Sequence, residues 1–172
     1  IDEPRLAHVN IKLEGWIDEL FVTSTRERVT KGQKLFTLYS PELVATQTEY
    51  LLALKSQRTL GRSAFPEVAA GAESLLDVTR RRLRLWDITE DHLQDLERTG
   101  TVLRTLPIHA PQSGTVIKKV ALAGMHVNPG DGLYTIADLS HVWLVADIYE
   151  YELPFINVGQ TATVTLSYDP GT

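Results

Sequence analysis

The feature that most constrains this chain is an internal repeat. Gly15-Trp16-Ile17, followed by Val29-Thr30-Lys31-Gly32-Gln33-Lys34-Leu35-Phe36-Thr37-Leu38, returns as Gly114-Thr115-Val116, followed by Val127-Asn128-Pro129-Gly130-Asp131-Gly132-Leu133-Tyr134-Thr135-Ile136. The shared pattern is Gly-x-(Ile/Val), then Val-x-x-Gly-x-x-Leu-aromatic-Thr-(Leu/Ile). The offset is 99 positions at the first glycine and 98 at the later one. Apolar residues alternate around both copies, as in Val9/Ile11/Leu13 and Val116/Val120/Leu122, which is strand chemistry in short pieces. Gly32 and Gly130 each follow a valine and a polar pair, where a tight turn calls for positive φ. One half alone leaves a sheet face uncovered, so the expectation is two halves packed face to face in one small sandwich.

Between the halves the period changes to that of a helix. Ser40 suits an N-cap, Pro41 the first helical position, and Glu42 the positive end of the helix dipole. Leu43, Gln47, Tyr50 and Leu54 then share one face. Gly61 closes this helix, and Pro66 opens a second with Val68, Ala72, Leu75, Thr79, Leu83 and Trp86 as its stripe. A short connection makes the two antiparallel. Thr89 caps a short third helix with Leu93 and Leu96 inward, ended by Gly100. The chain is thus read as mixed α and β. Residues 8–40 and 105–139 form the sandwich, and residues 41–100 form an inserted helical hairpin with its short third helix. Strand patterns resume over Val142 to Ile148 and Thr161 to Leu166.

Composition removes several function classes. The net charge of −5 lacks the basic field that phosphate backbones need, which argues against nucleic acid as a partner. With no cysteine, disulfides, thiolate metal sites and cysteine nucleophiles are absent. No apolar stretch reaches the roughly 20 residues that span a bilayer. The chain starts at Ile1 and is expected to be a fragment. No Gly-x-Ser-x-Gly elbow occurs, and the acidic pairs Glu90/Asp91 and Glu150/Glu152 suit a helix start and a solvated turn, so no catalytic site is assigned. Among five histidines, no His-x-His or His-x-x-x-His occurs. Met125-His126 is the one adjacent pair with suitable soft-metal donors, yet neighbours on a strand point to opposite faces, so no metal site is assigned there. Arg80, Arg81, Arg82 and Arg84 read as a solvated face, or alternatively as a docking surface.

Taken in order, these motifs resemble a lipoyl or biotinyl carrier fold split by a helical insertion. That layout is similar to the HlyD-like periplasmic adaptors, or membrane fusion proteins, of tripartite efflux pumps. Ile108-x-Ala110-Pro111-x-x-Gly114-x-Val116 and Gly124-x-x-Val127-x-x-Gly130-x-x-Leu133-x-x-Ile136-Ala137-Asp138-Leu139-Ser140-x-Val142-Trp143 carry this likeness. Gly32-Gln33-x-Leu35, Tyr39-Ser40-Pro41-Glu42-Leu43-Val44 and Leu96-Glu97-Arg98-Thr99-Gly100 resemble the heavy-metal, CusB-like branch. The resemblance implies a periplasmic, inner-membrane-associated adaptor without a cofactor. It would link an RND exporter to an outer-membrane channel and self-associate in a ring, hexameric by family analogy. Contact with a metal ion would be transient. It also implies that residues 1–7 and 140–172 belong to a β-barrel domain. In drug-exporting adaptors a spaced Arg, Leu and Ser near the hairpin tip meets the channel. Arg58, Leu60, Arg62 and Ser63 supply those types here at compressed spacing, so channel contact is expected from tip exposure. Flexible junctions are expected near Leu103 to Pro107 and Leu139 to Val142. Two other readings remain open, a carrier domain of an enzyme complex and a periplasmic metal chaperone. The carrier reading lacks a lysine between the halves, because helix fills that junction, and Lys31 and Lys34 lie within the first half.

Overall fold

Residues 5–60 and 66–164 are described by the computed structural model. The first half supplies β1 (Leu6–Asn10), β2 (Gly15–Leu20), β3 (Arg28–Val29) and β4 (Lys34–Tyr39). Helices α1 (Pro41–Leu60), α2 (Pro66–Leu85) and α3 (Glu90–Thr99) come next. The second half supplies β5 (Thr105–His109), β6 (Gly114–Lys119), β7 (His126–Val127) and β8 (Gly132–Ala137).

The halves interlock rather than forming one sheet each, which corrects the expected face-to-face arrangement. The strand orders are β1-β8-β6-β3 and β5-β4-β2-β7, with antiparallel pairing throughout. Exchanging each strand for its repeat counterpart converts one order into the other. Each half keeps its second and fourth strands together and sends its first and third into the partner half's sheet. Neither half can therefore complete a sheet without the other. The repeat shows that the halves match, but it does not say which neighbour each strand takes.

The repeated residues build the contact between sheets. Ile17, Leu35, Phe36, Leu38, Val116, Leu133, Tyr134 and Ile136 share one buried cluster. The equivalent aromatics Phe36 and Tyr134 stack with centroids 5.9 Å apart and an interplanar angle of 13°. The Tyr134 hydroxyl donates to the Val22 carbonyl at 2.8 Å. A Cβ on Gly15 would lie 2.2 Å from the Tyr39 carbonyl oxygen, and one on Gly114 would lie 2.5 Å from that of Ala137. Those glycines thus admit a close backbone approach that no side chain permits. The turn glycines Gly32 and Gly130 have φ of 82° and 94°, as the sequence required.

Two boundaries differ from expectation. Leu6 and Ala7, expected in the barrel part, pair with Ala137 and Ile136 in the sandwich. The strand pattern over 142–148 forms no ladder among the described residues. A strand needs a neighbour for its N–H and C=O groups, and Val142, Trp143, Leu144 and Val145 are exposed instead. The described residues from Trp143 onward belong to a separate compact unit, in which a 3-10 helix, Glu150–Phe155, is formed. Of the strand expected over 161–166, residues 161–164 form no ladder, and 165 and 166 lie outside the described residues.

Candidate functional site

The hairpin and its base are where this chain departs from a plain sandwich. Only Ser40 separates β4 from α1. Ser40 is buried between them, and its hydroxyl accepts from the Leu43 N–H at 3.4 Å. Leu43, Gln47, Tyr50 and Leu54 are all buried, together with Thr46 and Ala53. The face of α1 is therefore the one its periodicity indicated.

The buried face of α2 follows the expected stripe at Ala72, Thr79, Leu83 and, just past the helix, Trp86, and departs from it at Val68 and Leu75. Ala72, Thr79 and Leu83 are buried and Leu76 packs on the core, while Val68 and Leu75 are exposed. Spacings of three and four residues both keep a helical stripe, so Leu75 and Leu76 compete for the same slot. The inward seam 72–76–79–83 selects Leu76.

A set of polar contacts joins the base of the hairpin to α3 and to the chain returning toward β5. The Gln47 side chain donates to the Leu103 carbonyl at 3.0 Å and accepts from the Leu103 N–H at 2.9 Å. One amide thus pairs with the returning backbone as a strand neighbour would. The Tyr50 hydroxyl donates to the Glu97 carboxylate on α3. Burial first, and then this hydrogen bond, push the Tyr50 phenol up to about 12. Arg80 bonds Glu90, and Arg84 reaches the other oxygen of Glu90 at 2.8 Å. The hydrogen bonds from Arg84 and then Arg80 hold the Glu90 carboxyl below its usual range. The hydrogen bond to Glu90 likewise raises Arg80. Arg82 lies 3.3 Å from Glu49 on α1, and Arg81 lies 3.6 Å from Asp77. The arginine cluster is thus drawn into pairs within the chain, three of its four members tying α2 to α1 or α3.

The turn from α2 to α3 completes this base. Asp87 takes a left-handed conformation, φ 62°. The Ile88 N–H bonds the Leu83 carbonyl and the Asp87 N–H bonds that of Arg84, closing the helix end as glycine more often does. Lys12, just past β1, reaches the Asp87 carboxylate at 2.7 Å. The junction expected to flex near Leu103 is therefore fastened, through Gln47. A cleft of about 300 Å³ remains beside it, between the free edges of β1 and β5, lined by His8, Lys12, Trp86, Asp87 and His109 among others.

The other candidate residues are scattered. Arg58 and Leu60 are exposed on the last turn of α1. Arg62 and Ser63 lie outside the described residues. Met125 packs on the sandwich core, whereas His126 stands over Trp16 with centroids 4.7 Å apart and its Nε2 is 3.1 Å from a Glu14 oxygen. The two donors do not converge. Among the described residues no three His, Asp or Glu side chains gather as a metal-binding group. Lys34 lies over the Phe21 ring at 4.9 Å, away from the junction of the halves. No described helix is long and apolar enough to cross a membrane.

Interlocked half-motifs with helices threaded between β4 and β5 define a split barrel-sandwich hybrid carrying a hairpin. The chain belongs to the CusB barrel-sandwich hybrid domain family, which matches residues 6–137. It is 26% identical over 169 residues to the cation efflux system protein CusB of Escherichia coli K12, covering 98% of this chain and 38% of that protein. It is 24% identical to the cobalt-zinc-cadmium resistance protein CzcB of Cupriavidus metallidurans, covering 95% of this chain and 33% of that one. The chain therefore spans about two-fifths or less of these relatives. Among solved structures, ZneB from Cupriavidus metallidurans superposes with a TM-score of 0.58 at 26% identity, covering 92% of this chain and 71% of that one.

Proposed function

We propose that this chain is the sandwich-and-hairpin portion of a non-catalytic adaptor in a heavy-metal efflux assembly. In this reading the adaptor stands in the periplasm. It joins an inner-membrane RND exporter to an outer-membrane channel, several copies forming a ring. The metal cation is cargo of the assembly. Support comes from the family and from the cation-efflux and metal-resistance names of the relatives. The observation that carries it is the fastened hairpin base. Gln47, Tyr50, Arg80 and Arg84 join three helices and the returning chain, so sandwich and hairpin act as one lever. A domain whose task was to swing a cofactor would need a free loop and a lysine at that place.

Motion then concentrates after the sandwich, near residues 139–142, where the first compact unit ends. Residues 140–172 begin the barrel domain in this reading. Their exposed Val142, Leu144, Val145 and Val164 supply apolar positions for neighbouring strands to cover.

A strain lacking the gene should become sensitive to one or more heavy-metal cations and recover with the wild-type copy. A cysteine at Arg58 or Arg62 should crosslink to the outer-membrane channel in cells exporting metal. Unchanged metal tolerance in the deletion strain, with no crosslink to the channel, would overturn the assignment.

A further inference from the structure

The described surface of α2 carries a second apolar stripe that the fold of one chain does not use. Val68, Leu75, Val78 and Leu85 are 43%, 53%, 51% and 72% exposed. Their spacings of seven, three and seven residues put them in one row, beside the buried row of Ala72, Leu76, Thr79 and Leu83. Gly71 lies in the exposed row, and a Cβ there would meet open space. Across the hairpin, the side of α1 opposite its buried face presents Ala45, Thr48, Leu52, Lys55 and Thr59. Only one large apolar residue, Leu52, stands there, 62% exposed.

Charge along the hairpin says what fits. α1 is acidic near the base, at Glu42 and Glu49, and basic toward the tip, at Lys55 and Arg58. α2 runs the other way, with Glu67, Glu73 and Asp77 toward the tip and Arg81, Arg82 and Arg84 at the base. The helices are antiparallel, so opposite signs stand at the same height. The Glu49–Arg82 pair at 3.3 Å is one such match inside a single hairpin. A second hairpin standing in the same direction meets opposite charge at each level only if its α1 faces this α2. Two α2 helices side by side in that direction would set like against like.

We infer that the α2 stripe is the seam for α1 of a second copy of this chain, with Leu52 of one hairpin seated among Gly71, Leu75 and Val78 of the next. The contact uses different surfaces on the two copies, so it propagates from copy to copy, the kind of contact from which a ring is built. This rests on the adaptor reading of the chain and adds the residues and the polarity of the seam.

The 172 residues hold no cysteine, so introduced thiols report cleanly. In the full-length protein in its native membrane, the double variant L52C/L75C treated with a short bis-maleimide should yield a ladder of dimers and larger products. Each single variant should yield none. Dimers from L75C or V78C alone would show an antiparallel α2–α2 contact and overturn the seam. No crosslinks from the double variant while native mass shows a multimer would also overturn the seam, leaving the ring in place. A protein that is monomeric in the membrane would remove both. Leu75→Glu provides a second measure. It should abolish the multimer while leaving the far-UV circular dichroism spectrum unchanged, and a multimer that survives Leu75→Glu contradicts the proposal.

Discussion

The sandwich and the hairpin base are held together by different kinds of contact. In the sandwich, repeated apolar positions from both halves fill one buried cluster, and two glycines let carbonyl oxygens sit where a Cβ would be. At the hairpin base, an amide, a phenol and two arginines make directed hydrogen bonds to Leu103, Glu97 and Glu90. Burial is non-directional and tolerates small shifts, whereas these hydrogen bonds fix an angle. The difference suits a spacer that must be stable at one end and must hold a projecting arm in one direction at the other.

Variants that strain the sandwich should have the largest effect. Gly15→Val or Gly114→Val puts a side chain against a carbonyl oxygen, and neither should yield a cooperative urea transition. Phe36→Ala should cost about 3–5 kcal/mol by the same measurement, since it empties a packed aromatic site. Similar losses from both regions would erase the contrast.

At the base, Gln47→Leu leaves the Leu103 N–H and C=O unpaired and should cost about 1–3 kcal/mol. It should also broaden the distribution of hairpin directions, which the sandwich variants should not do. Tyr50→Phe leaves packing intact, removes the bond to Glu97 and should cost about 1.5–3 kcal/mol, a hydrogen bond to a charged group.

Tyrosine titration probes both regions at once. Tyr50 at the base and Tyr134 in the sandwich are each pushed up to about 12, chiefly by burial. In the unfolded chain both titrate near 10. Stability from these phenols is therefore complete below about pH 10 and is lost as pH rises from about 10 toward 12, where the unfolded state has released protons that the folded state still holds. Absorbance of phenolate should show Tyr50 and Tyr134 ionising late, and Tyr50→Phe and Tyr134→Phe should each remove its own late step.

The smallest effect compares the halves themselves. Gly124, φ 75°, and Arg26, φ 69°, hold equivalent left-handed positions, and their N–H groups bond the equivalent carbonyls of Ile17 and Val116. Arg26→Gly should raise stability by about 1 kcal/mol by relieving that conformation. A loss on thermal melting would mean that the Arg26 side chain contributes more than its backbone costs.

Much of the fold was legible in the residues. The turn glycines, the Ser40 and Thr89 caps, the α1 face and the Gly100 stop arise from local chemistry, and each is found where the sequence put it. What failed needed non-local information. Leu75 and Leu76 satisfy the helical period equally, and only packing against α1 chooses between them. The exchange of strands leaves no mark on the repeat. Gln47 stood on the expected face, but its role depends on Leu103, which lies 56 positions away. The arginines do lie on a mostly exposed face, as read, but their pairing with Glu90 was not legible because Glu90 faces them only after the turn at Asp87. The strand pattern over 142–148 reports what those side chains favour, yet a ladder also needs a partner.

Pulsed electron paramagnetic resonance between a spin label at Lys55 on α1 and one at Lys118 on β6 reads out whether hairpin and sandwich move as one body. A rigid lever gives a single narrow distance distribution in the wild-type background that broadens in Gln47→Leu. A broad or two-peaked distribution in the wild-type background, unchanged by Gln47→Leu, would refute the fastened base.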